Sequence, residues 1–159
     1  LAALSNNNVK LHIVGGGDSS KYKDLAKSLG VERLCIWHGL VSHSKVQNLM
    51  RTSNLLFFTS VAEGTPHVVL ESISNHLPIL CFDTCGQGDI VNEDIGFKIP
   101  LSNPEKAIQD FSGVIDFAVH ERDKLLVLSD NCRNYKVKLS WDYKSREVVH
   151  LYKSLVNSI

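Results

Sequence analysis

Apolar residues fall in short blocks along the chain, and between the blocks their spacing switches to that of amphipathic helices. Residues 9–14, 34–37, 55–58, 79–82 and 95–99 have the length and content of strands. The run Leu55-Leu56-Phe57-Phe58 has no polar alternation, which is the pattern of a fully buried strand. Helical spacing follows each block. Residues 21–29 are bounded by Asp18-Ser19-Ser20 and Gly30, and residues 45–51 follow a cap at Ser42 or Ser44 and offer Val46, Leu49 and Met50 as a buried face. Residues 66–76, 104–119, 121–138 and 141–156 complete the helices, with Trp141 and Tyr152 as packing anchors of the last one. Strands alternating with helices predict an α/β fold, a parallel sheet with helices on both faces. Ligands of such sheets lie beyond the carboxyl ends of the strands. The glycine-containing segments 15–17, 39–41, 60–65 and 84–88 all follow strands, so they are expected as loops on one rim.

The stretch 60–71 is the most informative. Gly64 supplies a sharp turn, Thr65 is placed to cap a helix, and Pro66 suits its first position because proline lacks the N–H that would go unpaired there. The amides of His67 and Val68 then point outward at the positive end of the helix dipole, which makes a site for phosphate. Glu63 precedes that site, and Glu71 lies one and a half turns into the helix. Two carboxylates around an anion position suit a ligand with hydroxyl-rich ends and a diphosphate between them, a nucleotide-sugar. Seven glutamates in 159 residues produce about 0.3 pairs at this spacing by chance, so the pair gains its weight from the turn and helix around it. The plainer alternative pairs Glu71 with His67 at i, i+4 on a solvated face.

Composition removes several classes of function. Seventeen basic and seventeen acidic residues cancel, which argues against nucleic acid as a partner, and no apolar run approaches membrane-spanning length. Cys35, Cys81, Cys85 and Cys132 show no CxxC pair and no metal-ligand spacing; buried, reduced thiols are expected, as in a cytoplasmic protein.

Further motifs follow in order: Leu11-His12-Ile13-Val14 running into Gly15-Gly16-Gly17, then Trp37-His38-Gly39-Leu40-Val41, Ser60-x-x-Glu63-Gly64 with Glu71, His76-Leu77-Pro78-Ile79-Leu80, and Gly96-Phe97-Lys98-Ile99-Pro100. In this series the chain resembles, over roughly residues 9–157, the C-terminal, donor-binding domain of retaining GT-B glycosyltransferases, glycosyltransferase family 4. The resemblance implies a Rossmann-like domain, the C-terminal half of a GT-B fold. It implies that Glu63 orients the transferred sugar as the catalytic residue and that Glu71 holds the ribose. Gly16, Leu40, Val41, Ser42, Gly64, Thr65, Pro66, His67 and Val68 would line the donor site, with the base near positions 41–43, and Val46 would stand where some relatives place a polar contact. Asp89 occupies a position that the family commonly gives to glutamate. No cofactor and no metal are expected, the nucleotide-sugar being a substrate. Residues 1–159 would be a fragment without the domain's first strand and the basic pair that clamps the diphosphate. The N-terminal domain that brings a glycan or lipid-linked acceptor, and any peripheral membrane association, would lie outside it. The isolated fragment is expected to be inactive. A non-catalytic nucleotide-binding module and a nucleotide-sugar epimerase-like enzyme are the alternatives.

Overall fold

Four consecutive apolar residues, Ile79–Phe82, form a strand that is buried along its whole length, as a strand covered on both faces must be. The computed structural model of the protein describes residues 1–4 and 8–156; position 157, at the end of the span of resemblance, lies outside them. In chain order the elements are β1 Leu11–Val14, α1 Ser20–Ser28, β2 Cys35–Gly39, α2 His43–Thr52, β3 Leu56–Phe58, α3 His67–Ser74, β4 Ile79–Phe82, α4 Cys85–Ile90, β5 Gly96–Ile99, α5 Pro104–His120, α6 Arg122–Tyr135 and α7 Trp141–Val156. All strand pairs are parallel. Alternate residues of β4 point to opposite faces. Ile79 and Cys81 pack with Val69, Ile73, Val91, Ile95 and Cys132 on one face. Leu80 and Phe82 pack with Ile99, Ala107 and Phe111 on the other. Helices α3 and α6 thus cover one side and α5 the other, the Rossmann-like α/β layering.

The strands form two parallel sheets, β1–β2 and β3–β4–β5, where one was expected. No ladder joins β1 to β3 among the described residues, so both are edge strands. For this reason β3 is not fully buried, and its Phe57 is 38% exposed. The ring of Phe57 still meets Phe111 edge-on at 5.0 Å. The segment 84–88, expected as a loop, opens α4 instead, because its glycines serve close packing and not a turn. Helix α7 runs over the expected residues but buries none of them; Trp141 is 88% exposed and Tyr152 is also exposed, so neither is a packing anchor. All four cysteines are free. Burial pushes the thiols of Cys81 and Cys132 up to about 11 and about 12, so they stay protonated at neutral pH. Cys85 is exposed and Cys35 half-buried, so the expectation of buried thiols holds for Cys81 and Cys132 and not for these two.

Helix α3 stops two residues before the expected end, because Asn75 and His76 close it. Leu77 N–H donates to Ser72 O and His76 N–H to Ile73 O, the bond pair of a Schellman ending, with His76 at φ 61° where glycine is usual. The carbonyl of His76 accepts from Ser129 Oγ at 2.7 Å, and its Nε2 lies 3.2 Å from Lys136 Nζ. Burial, then the charges of Lys136 and Arg133, holds the His76 imidazole below its usual 6.5. The unfolded chain therefore takes up this proton first as pH falls. This contribution to stability is complete above about pH 6.5 and is lost as pH falls through the folded value. Thermal unfolding followed between about pH 7.5 and 5.5 should show Tm falling with acid, and His76→Asn, which tolerates the left-handed conformation, should flatten that dependence.

Candidate functional site

Contacts between the loops that follow the strands assemble the site. Gly15 N–H donates to Gly39 O at 3.0 Å, which seats the segment 15–17 beside 39–41. Gly16 has no side chain to fill the space toward Leu40; a Cβ there would lie 3.9 Å from that residue. Leu40 is 86% exposed, Val41 is half-buried, and Ser42 caps α2 by accepting from Lys45 N–H at 3.4 Å. Between the other two loops, Gly86 N–H donates to Glu63 O at 3.1 Å. Gly86 is required by proximity, since a Cβ at that position would stand 2.2 Å from Gly64 O and 2.9 Å from Pro66 Cδ.

Helix α3 begins one residue later than expected. Pro66, at φ −76° and ψ 85°, is the capping residue in place of Thr65, whose side chain makes no capping bond. The reason is tertiary: Pro66 is buried against α4, and its carbonyl accepts from the amides of Val69 and Leu70. Among the described residues no acceptor meets the amides of His67 and Val68, so the first turn of α3 presents both to a ligand. The side chain of Val68 packs on the core, whereas Gly64, Thr65 and His67 are exposed.

The two carboxylates are held differently. Glu63 is half-buried, and its Oε1 accepts from Ser60 Oγ at 3.0 Å. Glu71 does not pair with His67. Its Oε1 lies 3.5 Å from His43 Nε2, and its Oε2 accepts from Gln47 Nε2 at 3.4 Å. The hydrogen-bond directions follow in sequence. Asn75 Nδ2 donates to Glu71 O at 2.8 Å, so the same amide nitrogen also donates to Gln47 Oε1. Gln47 must then present its Nε2 to both Glu71 and His43, whose Nε2 lies 3.2 Å away. Glu71 is thereby oriented by α2 while its side chain stays 38% exposed, with acceptor capacity left for vicinal hydroxyls. Helix α2 joins the rim of β1 and β2 to the start of α3 through these contacts.

Gln47 and Asn75 were not expected at the site, nor were Gln87 and the close approach of Gly86, and His43, expected only near the base, meets Glu71 instead. One signal was present: His43 and Gln47 are four apart behind a serine cap, hence on one helix face. Val46 is half-buried in α2, and the polar contact to Glu71 from that turn comes from its neighbour Gln47. Among the described residues no three His, Cys, Asp or Glu side chains converge as metal ligands, and no helix is long and apolar enough to cross a membrane. A helix start with two open amides, flanked by one carboxylate braced by Ser60 and another braced by Gln47, can hold an anion with hydroxyl groups around it.

Comparison with known proteins gives the same direction. The family model for glycosyl transferases group 1 matches residues 1–135. A lipopolysaccharide 1,6-galactosyltransferase of Escherichia coli K12 is 30% identical over 98% of the chain and 42% of its own length. A protein of the same description from Salmonella typhimurium is 34% identical over 65% of the chain and 29% of its own. The chain thus spans less than half the length of these curated relatives. Among solved structures, Anabaena HepE in complex with UDP superimposes with a TM-score of 0.76 at 19% identity, over 96% of the chain and 43% of HepE. At that identity the likeness establishes the fold alone.

Proposed function

The chain belongs to the glycosyl transferases group 1 family, and on that premise we propose that it is the donor-binding domain of a retaining glycosyltransferase that moves a sugar from a uridine diphosphate carrier to a glycan or lipid-linked acceptor. The observation that carries the reading is the start of α3, where the free amides of His67 and Val68 stand between the braced carboxylates of Glu63 and Glu71. In transfer, the bond from the anomeric carbon to the β-phosphate oxygen breaks and its electron pair stays on the diphosphate. The new bond forms to the acceptor oxygen, and that hydroxyl's proton passes to the oxygen of the departing diphosphate. The open amides and the dipole of α3 stabilise the departing diphosphate. Glu63 orients the sugar hydroxyls, and Glu71 accepts from the ribose. Leu40, Val41 and Ser42 supply the surface for the base, with Gly16 leaving room beside them. Uridine and galactose are suggested by the relatives: HepE is described with UDP, and the two curated relatives as galactosyltransferases. No metal enters this scheme. Protonated thiols at Cys81 and Cys132 suit a reducing, cytoplasmic setting.

Calorimetry on the parent protein tests the ribose contact. Glu71→Ala should weaken UDP and UDP-galactose by a similar factor, about tenfold, as expected for one charge-assisted hydrogen bond of about 1.5 kcal/mol. A loss confined to the sugar-bearing ligand would remove Glu71 from the ribose.

A further inference from the structure

Gln87 is completely buried, 0% exposed, in the short helix α4, yet half of its amide is unused. Its Nε2 donates to the backbone carbonyl of Ser60 at 3.0 Å, while no donor among the described residues reaches its Oε1. An unpaired carbonyl in a dry interior is destabilising, and an apolar side chain of the same volume would avoid that cost. Retaining an amide there points to the one bond it makes. That bond leads toward the site: Ser60, whose carbonyl Gln87 holds, donates through Oγ to Glu63 Oε1 at 3.0 Å. The adjacent amide, Gly86 N–H, holds the Glu63 carbonyl. Helix α4 is itself anchored, since Lys98 Nζ on β5 donates to Gly88 O at 2.9 Å and pairs with Asp83 at 2.8 Å.

We propose that Gln87 is a positioning residue for the donor site: its buried amide fixes the Ser60 carbonyl, and through Ser60 it fixes the carboxylate of Glu63. The inference rests on the reading of Glu63 given above. Without the amide, the segment 60–63 keeps its anchor at Gly86 but loses the one that sets the Ser60 side chain. Glu63 then samples several orientations, and the penalty falls on turnover.

The test uses the full-length parent protein and UDP-galactose, with UDP release by transfer to water as the assay, so that no acceptor need be known. Gln87→Met keeps length and volume and removes both polar atoms. It should leave Tm equal or higher and leave UDP affinity and KM unchanged, while kcat falls about tenfold. A purely structural role predicts the opposite pairing, with Tm and kcat falling together, and that result would overturn the proposal, as would an unchanged kcat. In a Glu63→Gln background the Gln87→Met change should add almost nothing, because the group it positions is already altered; a full further tenfold loss would show that it acts elsewhere. If Gln87→Met does not fold, Gln87→Asn, whose amide falls one methylene short of Ser60, must show the same kcat loss at unchanged KM. Impaired Glu63→Gln beside unimpaired Gln87 variants sinks this inference alone. Full turnover in Glu63→Gln sinks the reading beneath it.

Discussion

Glu63→Ala is expected to slow sugar transfer by the intact parent protein about a hundredfold while leaving its affinity for free UDP unchanged, which follows from losing two charge-assisted bonds of about 1.5 kcal/mol each that strengthen in the transition state. The asymmetry arises from where each carboxylate is held. Glu63 stands in the turn before α3, where Ser60 Oγ is the one side-chain donor to its carboxylate among the described residues, so acceptor sites remain for a ligand. Glu71 is braced by Gln47 on α2, the side to which the proposed function assigns the base and ribose. Initial rates and calorimetry on the same preparation decide the matter. Equal loss of UDP binding in the Glu63 and Glu71 variants, or none in either, would show that the pair does not divide one ligand between them.

Gly86→Ala is expected to be the most disruptive single methyl in the site. The added carbon would meet Gly64 O at 2.2 Å and Pro66 Cδ at 2.9 Å, both on backbone or ring atoms that cannot rotate away. Either α4 or the turn at Gly64 must move, and the Gly86 N–H bond to Glu63 O breaks with it. Overpacking of this kind costs about 1–3 kcal/mol, so Tm should fall by several degrees. Displacement of Pro66 also shifts the first turn of α3, so UDP affinity should be lost along with turnover. Thermal unfolding and UDP titration of the variant measure both effects; a variant with wild-type Tm and UDP affinity would mean that the two loops are not packed as described.

Local chemistry made much of the molecule legible in advance. Apolar blocks and helical spacing located the strands and most helices within a residue or two, because the side-chain period of an element is written in the residues that form it. The turn at Gly64 and the helix beginning near Pro66 were visible for the same reason, as was the candidate role of the amides at positions 67 and 68. The cap shifted from Thr65 to Pro66 only because α4 packs against that proline.

What the sequence by itself determined, then, is the alternation of elements, the apolar face of each, and a helix start suited to an anion. Whether a second surface covers an apolar face is a matter of what lies across space, so the exposure of Phe57 and Trp141 and the separation of the two sheets were decided by the tertiary structure. Glycine is equally ambiguous, because absence of a side chain permits either a turn or a close approach; only the approach of Gly64 to Gly86 shows that the segment 84–88 serves the second purpose. Glu71 meets Gln47 from 24 positions away and Ser60 meets Gln87 from 27. Such pairings carry no local period, and they exist because packed helices bring distant polar groups into places where each must find a partner.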